Sequence, residues 1–363
     1  EIWGHTQLTD TLGLSNFIDV AGYLYAGSNP GLTNIDGFSA IEYVSGDVSI
    51  FDCPLITKID GLGSLTSIGG NLEISLSAIA DLDGLWNLNN VGGGLSLSRM
   101  PLISDLSVFN SISELDYLSI NELGSLGNLD GFSNLTNLNG GPAYGISIND
   151  NETLTDINGL SNIQNVGEIE RVSITSNLAL VNIDGLSGLA GDQVGTDFIS
   201  IVNNPNLESI DGLSNITSIK GRLSLSDNSV LTNLNGLKMV SSIGGSFGVG
   251  DNDNLSNISS LVNLHTIGST LYFLRNSSLQ DCSPLAVLLG WPDGPPNDLV
   301  EGEIMIENNG TGCNSVQEVL DSVSGPSSPT IVSATSASES IALDYLPATT
   351  PDVYWPIFEH RAE

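Results

Sequence analysis

The chain has 363 residues, 40% of them hydrophobic, with 42 acidic against 8 basic residues and a net charge of −34. So few Lys and Arg argue against nucleic acid and against electrostatic docking on anionic membranes, because both need clustered positive charge. No apolar run approaches the ~18–20 residues of a membrane span. The acidity permits cations, cationic partners or a salty medium, and it keeps a large apolar repeat protein in solution. The first residue is Glu1, with no Met and no charged-then-apolar leader before it. This reads as a mature, secreted chain.

From Leu8 a phrase recurs: Ile-Asp-Gly-Leu, a few polar residues, then Ile-Gly-Gly-x-Leu-x-Ile. Its glycines (Gly13, Gly37, Gly61, Gly84, Gly131, Gly159, Gly185, Gly212, Gly236) lie about 24 residues apart or at small multiples of that. A period of 20–29 residues is the mark of a leucine-rich solenoid. The residues predict a repeat solenoid with one long parallel β-sheet, about 11–12 coils of about 24 residues and few helices.

The coil that begins near Ile56 carries the pattern clearly. Ile59, Leu62, Leu65 and Ile68 point inward, Asp60-Gly61 and Gly69-Gly70 are turn pairs, and Leu72 and Ile74 alternate with Glu73 as a strand with one buried face. The turn reading gives the Asp side chain bonds to nearby backbone N–H groups and gives the Gly a positive φ. Asp36, Asp60, Asp83, Asp130, Asp184 and Asp211 stack in equivalent turns, which raises structural calcium as a reading. Asn158, Asn235, Ser107 and Ser259 take the same place, and that interchange is what turn capping predicts. No metal or other cofactor is expected. Cys53, in Phe51-Asp52-Cys53-Pro54, reads as a free thiol in a turn, with an intermolecular bridge as the alternative.

Farther along, three intervals are stretched: Gly131 to Gly159 spans 28 residues, Gly159 to Gly185 spans 26 and Gly185 to Gly212 spans 27. The extra residues, which include Tyr144 and Arg171, precede the strand and are expected to bulge from one edge as a binding site. The outward strand position reads Tyr25, Ser49, Glu73, Ser96, Ser119, Ser147, Ser173, Ser200, Ser224, Gly248, Tyr272 and Met305. The Ser column has two readings, a solvated face and a smooth docking face. No His or Lys stands beside it in sequence to activate a hydroxyl, so nucleophilic catalysis is not expected. Seven Asn-x-Ser/Thr sites (Asn134, Asn151, Asn215, Asn254, Asn257, Asn276, Asn309) are about what composition alone produces.

The phrase as a whole resembles the receptor L-domain type of leucine-rich repeat, closest to long secreted versions from marine bacteria of the Bacteroidetes type. The resemblance covers roughly residues 8–320. It implies a right-handed coil and a non-enzymatic role in binding proteins or glycans. Leu279-Gln-Asp-Cys282 followed by Gly312-Cys313-Asn-Ser looks like the C-terminal cap of such proteins. A solenoid's last coil needs a pinned lid, and a Cys282–Cys313 disulfide is expected there. It fits an oxidising compartment.

Beyond the cap, residues 324–330 are a Ser/Pro linker by composition, residues 331–346 resemble one or two short strands, and the last stretch is aromatic. The expected domains are a solenoid over 1–285, a disulfide cap over 286–321 and a linker with an aromatic tail over 322–363. Tyr354, Trp355, Ile357 and Phe358 are the candidate tail-docking residues.

Two functions stand. One is an extracellular module for recognition or adhesion, with Ser96, Ser119, Ser147, Ser173, Ser200, Ser224, Tyr144, Arg171 and Tyr272 as the binding face and a cell-surface protein or glycan as partner. The other is a self-assembling subunit of an extracellular filament, sheath or surface layer, whose tail docks on a neighbouring copy.

Overall fold

The computed structural model describes residues 1–140, 145–192, 194–292, 299–323, 331–337 and 340–345. Within them the repeat folds as a parallel β-solenoid of the leucine-rich kind. One sheet of 15 strands runs along the molecule. Its main path starts at Ile2–Trp3, passes through Leu24–Gly27, Val48–Phe51 and Leu72–Ser75, and ends at Leu271–Leu274 and Ile304–Glu307. Each strand pairs in parallel with the equivalent strand of the next coil, as in Leu72↔Leu95 and Ile74↔Leu97. The inward side chains of one coil thereby meet those of its neighbours, which no coil could do alone.

Two further walls close the coil. Two-residue strands such as Tyr43–Val44 and Ser67–Ile68 form short parallel ladders on the second. The third is a column of twelve 3-10 turns among the described residues, half of them the Asp-Gly-Leu or Asn-Gly-Leu phrase. Leu and Ile from all three walls fill one continuous core, and Phe109 and Phe132 stack within it at 5.6 Å.

The turn residues have duties other than those expected. Gly61 does not adopt a positive φ. It is needed because a Cβ there would collide with the Ile35 carbonyl of the preceding coil, and Gly185 faces the Ile157 carbonyl in the same way. Capping falls to the residue two places before the turn Asp: Asn182 Oδ1 accepts the Asp184 N–H at 3.1 Å, and Asp105 and Asn128 repeat the bond for Ser107 and Asp130.

A second column lies inside the corner after each strand. Asn151, Asn177, Asn204, Asn228, Asn252 and Asn276 are completely buried. Each side-chain amide reaches back to the preceding coil. Asn177 Oδ1 accepts the backbone N–H of Asn151 at 3.1 Å, while its Nδ2 donates to the Ile148 carbonyl at 2.8 Å. The residue before each is left-handed, as at Asp150 (φ 57°) and Asn203 (φ 57°), which turns the amide into the coil. Two of the Asn-x-Ser/Thr sequons, Asn151 and Asn276, are therefore buried and bonded, and the folded protein cannot present them for glycosylation. Cys53 also stands in this column. It is free but buried, 3.9 Å from both Asn29 Nδ2 and the Ala26 carbonyl, and burial pushes its thiol pKa up.

The stretched coils differ from the expected bulge. In the second and third of them described extra residues are zipped into strands, Asn165–Thr175 and Val194–Val202, and Asn165–Thr175 runs unbroken from the second wall into the main sheet. The excess is absorbed by a register shift between Ile169 and Arg171. Residues 141–144, with Tyr144, lie outside the described residues.

At the C-terminal end Cys282 and Cys313 form a disulfide with Cα atoms 5.6 Å apart. The helix Val316–Val323 lays Val319 and Leu320 over the last coil. Ile331–Ala337 and Ser340–Tyr345 then pair as an antiparallel hairpin. Tyr354, Trp355, Ile357 and Phe358 lie outside the described residues.

Candidate binding surface on the strand face

Strand pairing sets the outward residues in rows one sheet spacing apart, roughly 4.8 Å. Ser96, Ser119, Ser147, Ser173, Ser200 and Ser224 pair in unbroken register. All six are partly exposed. The hydroxyls of Ser119, Ser147 and Ser173 are tied to the neighbouring outward row. Asn121 Nδ2 donates to Ser119 Oγ (2.7 Å), Ser147 Oγ to Asn121 Oδ1 (3.2 Å), Asn149 Nδ2 to Ser147 Oγ (2.7 Å) and Ser173 Oγ to Asn149 Oδ1 (3.0 Å). Short side chains held this way lose little further entropy when something lies on them.

The row on the other side of the serines gives the surface relief. Gly145, Arg171, Phe198 and Arg222 occupy equivalent positions in successive coils. The Phe198 ring is sandwiched by guanidinium groups, with Arg222 at 5.1 Å and Arg171 at 5.8 Å from its centroid. Asp197 holds Arg171 through a 2.8 Å bond to Nε. Two coils before Arg171, the Tyr117 ring lies over Gly94. Gly145 presents no side chain between Tyr117 and Arg171. The result is a cleft of about 500 Å³ floored by Ser96, Ser119, Ser147 and Ser173 and walled by Tyr117, Arg171 and Phe198.

The expected residues separate into three groups. The six serines and Arg171 come together at this cleft or along its continuation. Tyr272 is in the serine row but nearer the C-terminal end, beside Gly248. Tyr144 is not described. Tyr117 and Phe198 line the cleft and Arg222 packs on Phe198; all three were missed. Aligning the coils on the residue before the first buried strand position would have found Phe198 and Arg222. Among the described residues no three His, Cys, Asp or Glu side chains gather as a metal site. No described helix is long and apolar enough to cross a membrane. No family model matches this sequence, and no curated protein is significantly similar to it.

Proposed function

We propose that this chain is a secreted, non-enzymatic recognition or adhesion module of the receptor L-domain type. Its strand face takes a glycan at a cell surface. One observation carries the reading: a floor of pre-bonded Ser and Asn side chains opens at Gly145 between the Tyr117 and Phe198 rings. A sugar presents hydroxyls on its edge and C–H groups on its faces. A flat row of hydroxyls and amides flanked by rings supplies partners for both. The Cys282–Cys313 disulfide is compatible with an oxidising compartment. A second reading, a self-assembling extracellular subunit, draws support from the exposed apolar side chains of the first coil.

The test is a glycan array probed with the full chain and with Ser147→Trp, which fills the cleft from a partly exposed position. Retention of a defined set of glycans by the parent, and its loss in a variant of unchanged melting temperature, is the expected result. Equal binding by Ser147→Trp, or no glycan retained by the parent, sinks the reading.

A further inference from the structure

The two ends of the solenoid are finished differently. The last coil is sealed by the disulfide and the helix Val316–Val323. Among the described residues nothing covers the first coil. Phe17 is 54% exposed where the equivalent Ile41 is 2% exposed, and Leu8 and Leu14 are only partly covered where Leu32 and Phe38 are buried completely. Two positions go further. Leu12 (58% exposed) stands where the other coils have Asp, Asn or Ser, and Ile18 (56% exposed) where coil two has Glu42 and coil three Thr66. Trp3 adds an exposed ring on the edge strand Ile2–Trp3, which among the described residues pairs only with Ala26–Gly27. Clefts of about 750 and 390 Å³ open on either side of Ile2. An apolar patch of this kind marks an interaction site.

We propose that this end is the acceptor for the aromatic C-terminal segment, residues 353–358, of a second copy, so that copies join head to tail. The segment concentrates Tyr354, Trp355, Ile357 and Phe358 in six residues, a chemistry suited to an apolar cleft. Chain length selects the second copy. Thirteen strands on the main path put the two ends about 58 Å apart at roughly 4.8 Å per strand. From Val323 the chain has eight residues to reach Ile331, returns beside it at Tyr345, and has eight more to reach Val353. Sixteen residues span about 53–58 Å only when fully extended. The segment therefore reaches its own first coil only as a taut straight line, whereas a copy stacked end to end brings it there slack. With a net charge of −34, broad contact between copies is repelled, and a small apolar plug is the contact that survives. A heterologous contact that does not close gives filaments. The inference is independent of what the strand face binds.

The experiment uses three versions of the 363-residue chain: the parent, an acceptor variant Leu12→Asp/Ile18→Asp, and a donor variant Trp355→Asp/Phe358→Asp. The acceptor substitutions are at exposed positions, and unchanged melting temperatures check that folding is intact. Light scattering and electron microscopy should find the parent growing with concentration into filaments and each variant alone at the 37.9 kDa protomer mass. Mixing the two variants restores one acceptor and one donor, so the mixture should stop at twice that mass. The proposal is overturned by a parent that stays monomeric at high concentration. It is equally overturned by an acceptor variant that still polymerises, or by a mixture that does not pair.

Discussion

Single residues along this solenoid are held by their counterparts in the neighbouring coils. Asn204 illustrates the dependence. It is buried, donates to the Ile174 carbonyl at 2.9 Å and accepts the Asn177 N–H at 3.1 Å. Asn204→Ala would strand a buried donor and a buried acceptor, so denaturant titration should find a loss of about 2–4 kcal/mol. Cys53 is the complementary case. Cys53→Asn would place an amide where the Asn29 N–H and the Ala26 carbonyl can receive it, and the melting temperature should hold or rise, by the worth of about 1 kcal/mol. A drop of that size would mean the corner around Cys53 is shaped for sulfur.

Charge acts locally as well. Arg275 grips Asp251 with two 2.6 Å bonds and holds its carboxyl below the usual 3.8, while burial pushes neighbouring Asp227 above it. The signs are opposite. Asp251 contributes stability above its unfolded pKa and loses it as pH falls through the depressed folded value. Asp227 carries a penalty at neutral pH that protonation relieves. In Arg275→Ala both carboxyls should titrate higher by NMR, and acid unfolding should begin at higher pH. An Asp251 that titrates unchanged in this variant would contradict the assignment.

At the scale of elements, the repeat phrase made the coil legible because burial leaves a strong mark on sequence. Inward positions must be apolar, so Leu72 and Ile74 identify their strand without help. The turn glycines were legible as glycines but not in their duty, since a close approach to Ile35 or Ile157 belongs to the stack and not to the local chain. The same holds for Asn165–Thr175, where pairing partners in adjacent coils turned an expected bulge into one long strand. Of the cleft, the Ser row was readable from period two and Arg171 from the stretched interval that contains it. Phe198 and Tyr117 emerge only when the coils are aligned on the residue before the first buried strand position, because a lone aromatic stands out only against its counterparts. The cap is a separable element. Cys282→Ser/Cys313→Ser opens a loop of 31 residues, which should cost about 3–4 kcal/mol. In an array with nearest-neighbour coupling the damage should be local, with hydrogen exchange rising first in Ile304–Glu307.

For the molecule as a whole, the ladders of the solenoid all run one way. Strand pairs, buried amides and turn contacts join each coil to the next, and few bonds skip a coil. The hydrogen bonds of the main sheet consequently point along the long axis of the rod. Tension applied between the first coil and the cap therefore loads them one coil after another, like a zip and not like a shear clamp. A single molecule drawn from its ends by force microscopy should lengthen in repeated steps. Each step should release about 24 residues, on the order of 80 Å of chain, and the loop closed by the disulfide should stay out of the tally until it is reduced. A rod built this way yields gradually, absorbing work coil by coil where a globular domain would fail at once.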